Sequence, residues 1–168
     1  MRRLHLVLLP LVLAACSHKP PATDWTPAHW GMMPSEVLNS VHDSTPESGD
    51  RLVTGATARV RLEAAAVAGT TLPAEFYFLD DRLVQVMFSD SQYHDNADTR
   101  KTLEHLSAQL RKQYGAETLG KAMDPAAGLS YSATWAAGDT EVFLSANPVT
   151  ATTSMVTVIY RRKGSVPA

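Results

Sequence analysis

One cysteine, Cys16, is all that 168 residues contain, so no intrachain disulfide can staple this chain and its stability must come from packing. Long apolar runs are also missing. The most hydrophobic stretch, Leu4 to Leu13, is about half the roughly 20 residues of a spanning helix and holds His5 and Pro10, which disfavours a transmembrane segment. Neither sign of charge dominates: 15 Lys and Arg stand against 17 Asp and Glu, a formal net charge of −2. That balance gives no reason to expect nucleic acid or an anionic lipid surface as a partner. Several chemical signatures are absent as well. No glycine-rich phosphate loop follows a strand, and no Gly-x-Ser-x-Gly or Ser-x-x-Lys setting activates a serine. The six histidines form no His-x-x-x-His pair or Cys/His cluster, so no structural zinc and no cofactor are expected.

What is present begins at the N-terminus. Arg2 and Arg3 precede the apolar run, and small residues close it, which is the layout of an export signal. The segment Leu13-Ala14-Ala15-Cys16 resembles the lipobox of bacterial lipoproteins, in which the cysteine is acylated and becomes the mature N-terminus. That resemblance implies a signal peptide at 1–15 and fatty acyl chains, palmitate among them, on Cys16. One chain holds a protein only marginally, at about 0.8 kcal/mol per buried methylene, whereas the three carried by such lipoproteins make attachment effectively permanent. Ser17 in place of Asp after the cysteine implies sorting to the outer membrane, with the folded domain facing the periplasm. Acylation would also remove Cys16 as a catalytic nucleophile. The alternative is a plain secretory signal cleaved after Ala14 or Ala15, which would release a soluble periplasmic domain.

About 150 residues remain after residue 15, enough for one domain with a proper core. Residues 16–29 are expected to be a tether carrying the acylated cysteine. Ser17 to Thr26 is polar and contains Pro20 and Pro21, with only Trp25 to bury. At about 3.1 Å per residue it spans some 25–30 Å. A single domain is expected over 30–168.

Pro34 suits a first helical position and Glu36 favours the helix N-terminus, so a short helix is expected to about His42, with Val37, Leu38 and Val41 apolar. Period two follows. Val60, Leu62, Ala64 and Ala66 alternate with charged residues. Phe76 and Phe78 begin a second strand, Asp80-Asp81 turns it, and Val84, Val86 and Phe88 share one face of the third. A long amphipathic helix is expected over 95–114, with Leu103, Leu106, Leu110 and Tyr114 on one face and Gly115 as its stop. Lys121 to Gly128 reads as a loop. Three more strands are expected near 130–136, 140–146 and 153–161, with Gly138 in one turn and Asn147-Pro148 in the other. Helix, three strands, helix, three strands predicts an α+β fold of two consecutive helix-plus-three-strand units, its antiparallel sheet packed against the helices.

Gly31-Met32 before a helix and a three-stranded meander is similar to the small outer-membrane lipoproteins of the barrel-assembly type. Two such units in tandem resemble the β-lactamase-inhibitor proteins. Trp30-Gly31-Met32 with Tyr114-Gly115 after a later helix resembles uncharacterised envelope lipoproteins that share this pattern. These resemblances imply a fold, not an activity.

Four groups of residues invite a chemical reading. His94, Asp95, Asn96 and Asp98, with Asp90 nearby, offer oxygens to a cation, but the Asp-x-Asp-x-Asp-Gly spacing of a calcium loop is missing, and Asp95 as helix cap accounts for them. His42-Asp43 could do acid–base work only if neighbouring side chains at a helix end turned together. Arg161, Arg162 and Lys163 end the last strand; they could meet an acidic partner or lipid headgroups, or simply block edge pairing. Trp25 in the tether is the aromatic to test for a partner, while Trp30 and Trp135 are expected in the core. No catalytic and no metal-binding residue is assigned. The expected function is a non-enzymatic lipoprotein that binds or scaffolds another envelope protein. An inhibitory or small-ligand-binding module is the alternative, and an enzyme of unknown class comes third.

Overall fold

The computed structural model describes residues 25, 27–90, 92–121 and 129–165. The expected signal peptide, Cys16, the tether up to Asp24 and the expected loop beyond Lys121 lie outside the described residues. The elements are α1 (Pro34–Ser40), β1 (Thr45–Pro46), β2 (Thr57–Val67), β3 (Thr70–Leu79), β4 (Arg82–Ser89), β5 (His94–Asp95), α2 (Asn96–Tyr114), β6 (Leu119–Lys121), β7 (Tyr131–Ala137), β8 (Thr140–Pro148) and β9 (Thr153–Arg162).

All the strands belong to one antiparallel sheet, in the order β1-β2-β3-β4-β9-β8-β7-β6, with β5 attached to the far end of β9. This corrects the expected α+β arrangement of two helix-plus-three-strand units. About 47% of the described residues are strand and 20% helix, so the protein is predominantly β. The cause lies at the junction. β4 and β9 each end a meander with free backbone donors and acceptors, and they satisfy one another from Gln85↔Arg161 to Ser89↔Thr157. One continuous sheet results. The first helix is also too small to form a layer, since α1 has seven residues and buries only Val37.

Helix α2 covers the inner face of β7, β8 and β9. Asp95 caps it by accepting from the N–H groups of Ala97 and Asp98, both at 2.9 Å, and Gly115 ends it at φ +87°. Leu103, Leu106 and Leu110 are buried against Val142, Leu144, Val158 and Tyr160 of the strands. Trp135 is 1% exposed, and its indole N–H donates to Gly115 O at 3.0 Å.

Alternation in β2 breaks at a bulge between Leu62 and Ala65, where two residues oppose Pro73. Val60 and Leu62 face the core as expected. Beyond the bulge it is Ala65 and Val67 that are buried, and Ala64 and Ala66 are exposed. A second register shift, between Tyr77 and Phe78, sends Val84 to the opposite face from Val86 and Phe88. There Val84 packs with Ala56, Ala58 and Tyr77 under the loop that carries Leu52.

The chain before α1 is part of this architecture. Trp25 meets Phe76 and Phe88 edge to face, with centroids 5.7 and 5.6 Å away, and its indole N–H donates to Ala66 O on the outer edge of β2 at 2.9 Å. Ala28 is buried. Gly31, at φ +86°, donates its N–H to Leu83 O at 2.9 Å, and Met32 O accepts from Leu83 N–H at 2.8 Å. The Trp-Gly-Met motif is therefore a clip onto the start of β4, with Trp30 Nε1 donating to Thr140 Oγ1 across the sheet. Glu36 completes α1 by accepting the Met33 N–H at 2.7 Å, which compensates for a residue with no capping side chain. Among the described residues no helix is long and apolar enough to cross a membrane.

Candidate functional site

Three places on the surface bring candidate residues together, some of them singled out by the sequence. The first lies at the start of α2. Asp90, at the end of β4, holds His94 Nε2 at 2.8 Å and also accepts the Gln92 N–H. Burial works to raise the Asp90 carboxyl, but these two hydrogen bonds outweigh it and set it below the ordinary carboxylate range. The pair stands at the mouth of a cleft of about 260 Å³ lined by Thr70, Thr71, Leu72, Thr99 and Val156. The neighbouring polar residues turn elsewhere. Asp95 caps the helix, Asp98 pairs with Lys101 at 2.8 Å, and Asn96 ties the helix to Ala151 O and Ser154. Among the described residues no group of three His, Cys, Asp or Glu side chains is placed to hold a metal ion. His42 and Asp43 do approach, to 3.5 Å, but both side chains are largely exposed.

The second place is the end of β9, where the basic run divides. Arg161 points to the outer face of the sheet. There it donates to Glu141 at 2.7 Å and lies 4.6 Å over the ring of Phe143. Arg162 and Lys163 instead help to line an open cleft of about 440 Å³ at the β3–β4 turn, with Asp80, Arg82 and an apolar part of Leu79 and Val84. Sequence reasoning missed Arg82, because the turn that brings it to Arg162 is fixed only by the pairing of β4 with β9.

The third is the outer face itself. Strand registers place Met87, Ile159 and Phe143 side by side on β4, β9 and β8. On one side of this apolar row run Gln85, Arg161 and Glu141, and on the other Ser89, Thr157, Ser145 and Ser132. Met87, Phe143 and Ile159 are each half-buried, and a shallow groove of about 250 Å³ runs between Phe143, Ile159 and the polar rim. No periodicity in a single strand shows this row; it exists only across three strands. Trp25, by contrast, is occupied by the core, and Trp30 and Trp135 each bond inward.

No family model, curated protein or solved structure matches the chain.

Proposed function

We propose that this protein is a lipid-anchored, non-enzymatic component of the bacterial outer membrane that holds another envelope protein against the outer face of its sheet. The observation that carries the reading is the apolar row Met87–Ile159–Phe143, flanked by polar rows and bearing an arginine stacked on an aromatic ring. Protein interfaces have this anatomy: an apolar, aromatic centre, a hydrogen-bonding rim, and arginine rather than lysine. Glu141 already neutralises Arg161, so the face asks for a partner surface centred on an apolar side chain rather than on a charge. The lipobox-like run ending at Cys16 supplies the location, by resemblance to bacterial lipoproteins.

Two experiments test the two halves. For the face, a photo-activated cross-linker at Ser145 should trap a discrete envelope protein in living cells, and the same group at Lys101 on α2 should not. Adding Ile159→Asp should abolish the Ser145 product while circular dichroism stays unchanged. Equal products from both positions would refute the docking face. For the anchor, a fatty-acid analogue should label the wild type and leave Cys16→Ser unlabelled and outside the membrane fraction. An unlabelled wild type would leave a soluble periplasmic protein.

The cleft beside Asp90 and His94 favours a second reading, a small-ligand module. A ligand there would protect His94 from carbethoxylation.

A further inference from the structure

Several basic side chains among the described residues are paired with carboxylates. Arg59 pairs with Asp81 at 3.1 Å, Arg61 lies among Glu47, Glu63 and Glu75, Arg111 grips Glu117 with two nitrogens, and Arg161 holds Glu141. The cleft at the β3–β4 turn differs. Among the described residues Arg82 donates only to a carbonyl, Gly31 O at 3.2 Å, and the Lys163 ammonium likewise only to Gly138 O at 2.5 Å. Arg162 has no side-chain partner among the described residues and is exposed. Among the described residues Asp80 is the one carboxylate in the lining, and its neighbour Asp81 pairs with Arg59. Among the described residues three basic residues and one acidic residue thus line a cleft of about 440 Å³, with Leu79 and Val84 as its apolar part.

The geometry points to a binding site for a phosphate ester in this cleft, with Arg82, Arg162 and Lys163 as its ligating groups. The chemistry of the donors selects phosphate over a simple carboxylate. Two guanidinium forks and one ammonium offer more donors than two carboxylate oxygens can take, while three phosphoryl oxygens match them. The apolar part accommodates the carbon portion of the ester. Position in the chain supports a built cleft rather than a solvated terminus. Lys163 N–H donates to Asp139 O at 2.7 Å, and the N–H and hydroxyl of Ser165 both return to Arg162 O, so β9 ends in a hydrogen-bonded turn. The site is separate from the docking face and does not depend on it.

The ester could belong to a soluble molecule or to a lipid headgroup, and the assay separates them. The full chain is titrated calorimetrically with glycerol phosphate, inorganic phosphate and, for comparison, acetate. In parallel, Cys16→Ser is sedimented with vesicles of neutral phosphatidylcholine, with and without one fifth phosphatidic acid. Expected are saturable binding of glycerol phosphate at least tenfold tighter than acetate, and at least a tenfold loss in Arg162→Glu. Lys112→Glu, which makes the same change of charge on the exposed face of α2, should stay within twofold of the wild type. Sedimentation with phosphatidic acid alone, lost in Arg162→Glu, assigns the ester to a lipid. Glycerol phosphate binding without vesicle binding assigns it to a soluble molecule. Acetate binding as tight as phosphate, an equal loss in Lys112→Glu, or no binding in either arm overturns the site. Lys163→Gln, a milder change, repeats the test should Arg162→Glu alter the circular dichroism.

Discussion

Replacing Trp25 with alanine measures where the folded domain begins. The indole contributes two edge-to-face ring contacts, to Phe76 and Phe88, and one hydrogen bond to Ala66 O at the edge of β2. Truncating a buried tryptophan costs about 3–5 kcal/mol, and partial exposure of Trp25 places it at the low end, about 3 kcal/mol. Trp25→Phe keeps the rings together and loses the hydrogen bond, for about 1 kcal/mol. Urea unfolding of the full chain, followed by circular dichroism, reads both values. With a denaturant slope of about 1.5 kcal/mol per molar, the alanine variant should lower the midpoint by about 2 M and the phenylalanine variant by well under half of that. A change below about 0.3 M in Trp25→Ala would refute the packing, and would make residues up to 29 a free tether with Trp25 open to partners.

Three further outcomes follow from the core. Leu106→Ala removes a fully buried side chain between α2 and the sheet and should cost about 2–5 kcal/mol in the same assay. The bulge in β2 predicts opposite results at neighbouring positions: Ala65→Glu should unfold the protein or nearly so, while Ala64→Glu should stay within about 0.5 kcal/mol of wild type. Burial, reinforced by Tyr114 at Tyr160 and by Glu75 at Tyr77, pushes both phenols above their ordinary range. Because the unfolded chain releases these protons near pH 10 and the native state does not, their contribution is complete below pH 10 and declines above it, at about 1.4 kcal/mol per pH unit per phenol. Thermal unfolding between pH 8 and 11 should show that loss, and Tyr160→Phe should halve the slope. A flat profile would count against burial of both hydroxyls.

The residues that announced themselves were those with long, regular periods. Leu103, Leu106 and Leu110 predict α2 and its buried face, Asp95 and Gly115 its ends, and Gly138 and Asn147-Pro148 the division of the later strands, expected near 130–136, 140–146 and 153–161. What stayed hidden depends on pairing. Alternation through Ala64 and Ala66 runs straight past a bulge that only the partner strand β3 reveals, and two-residue strands such as β1 and β5 have no period at all. Direct pairing of β4 with β9 joins segments about 70 residues apart, which no local pattern records. The candidate surfaces share that origin. Arg162 and Lys163 are visible in the chain, yet Arg82 joins them only through the β4–β9 junction, and Met87, Ile159 and Phe143 align only by register.

The last strand among the described residues is also the middle of the sheet: β9 lies between β4 and β8 and carries β5 at its end. A ribosome that stops early therefore releases a product with two raw edges, β4 and β8, and with no way to join its halves. Until residue 162 is made, β4 and β8 each keep a row of unpaired backbone groups where β9 will lie. Loss of the ten residues of β9 would divide the fold at its centre rather than fray a margin.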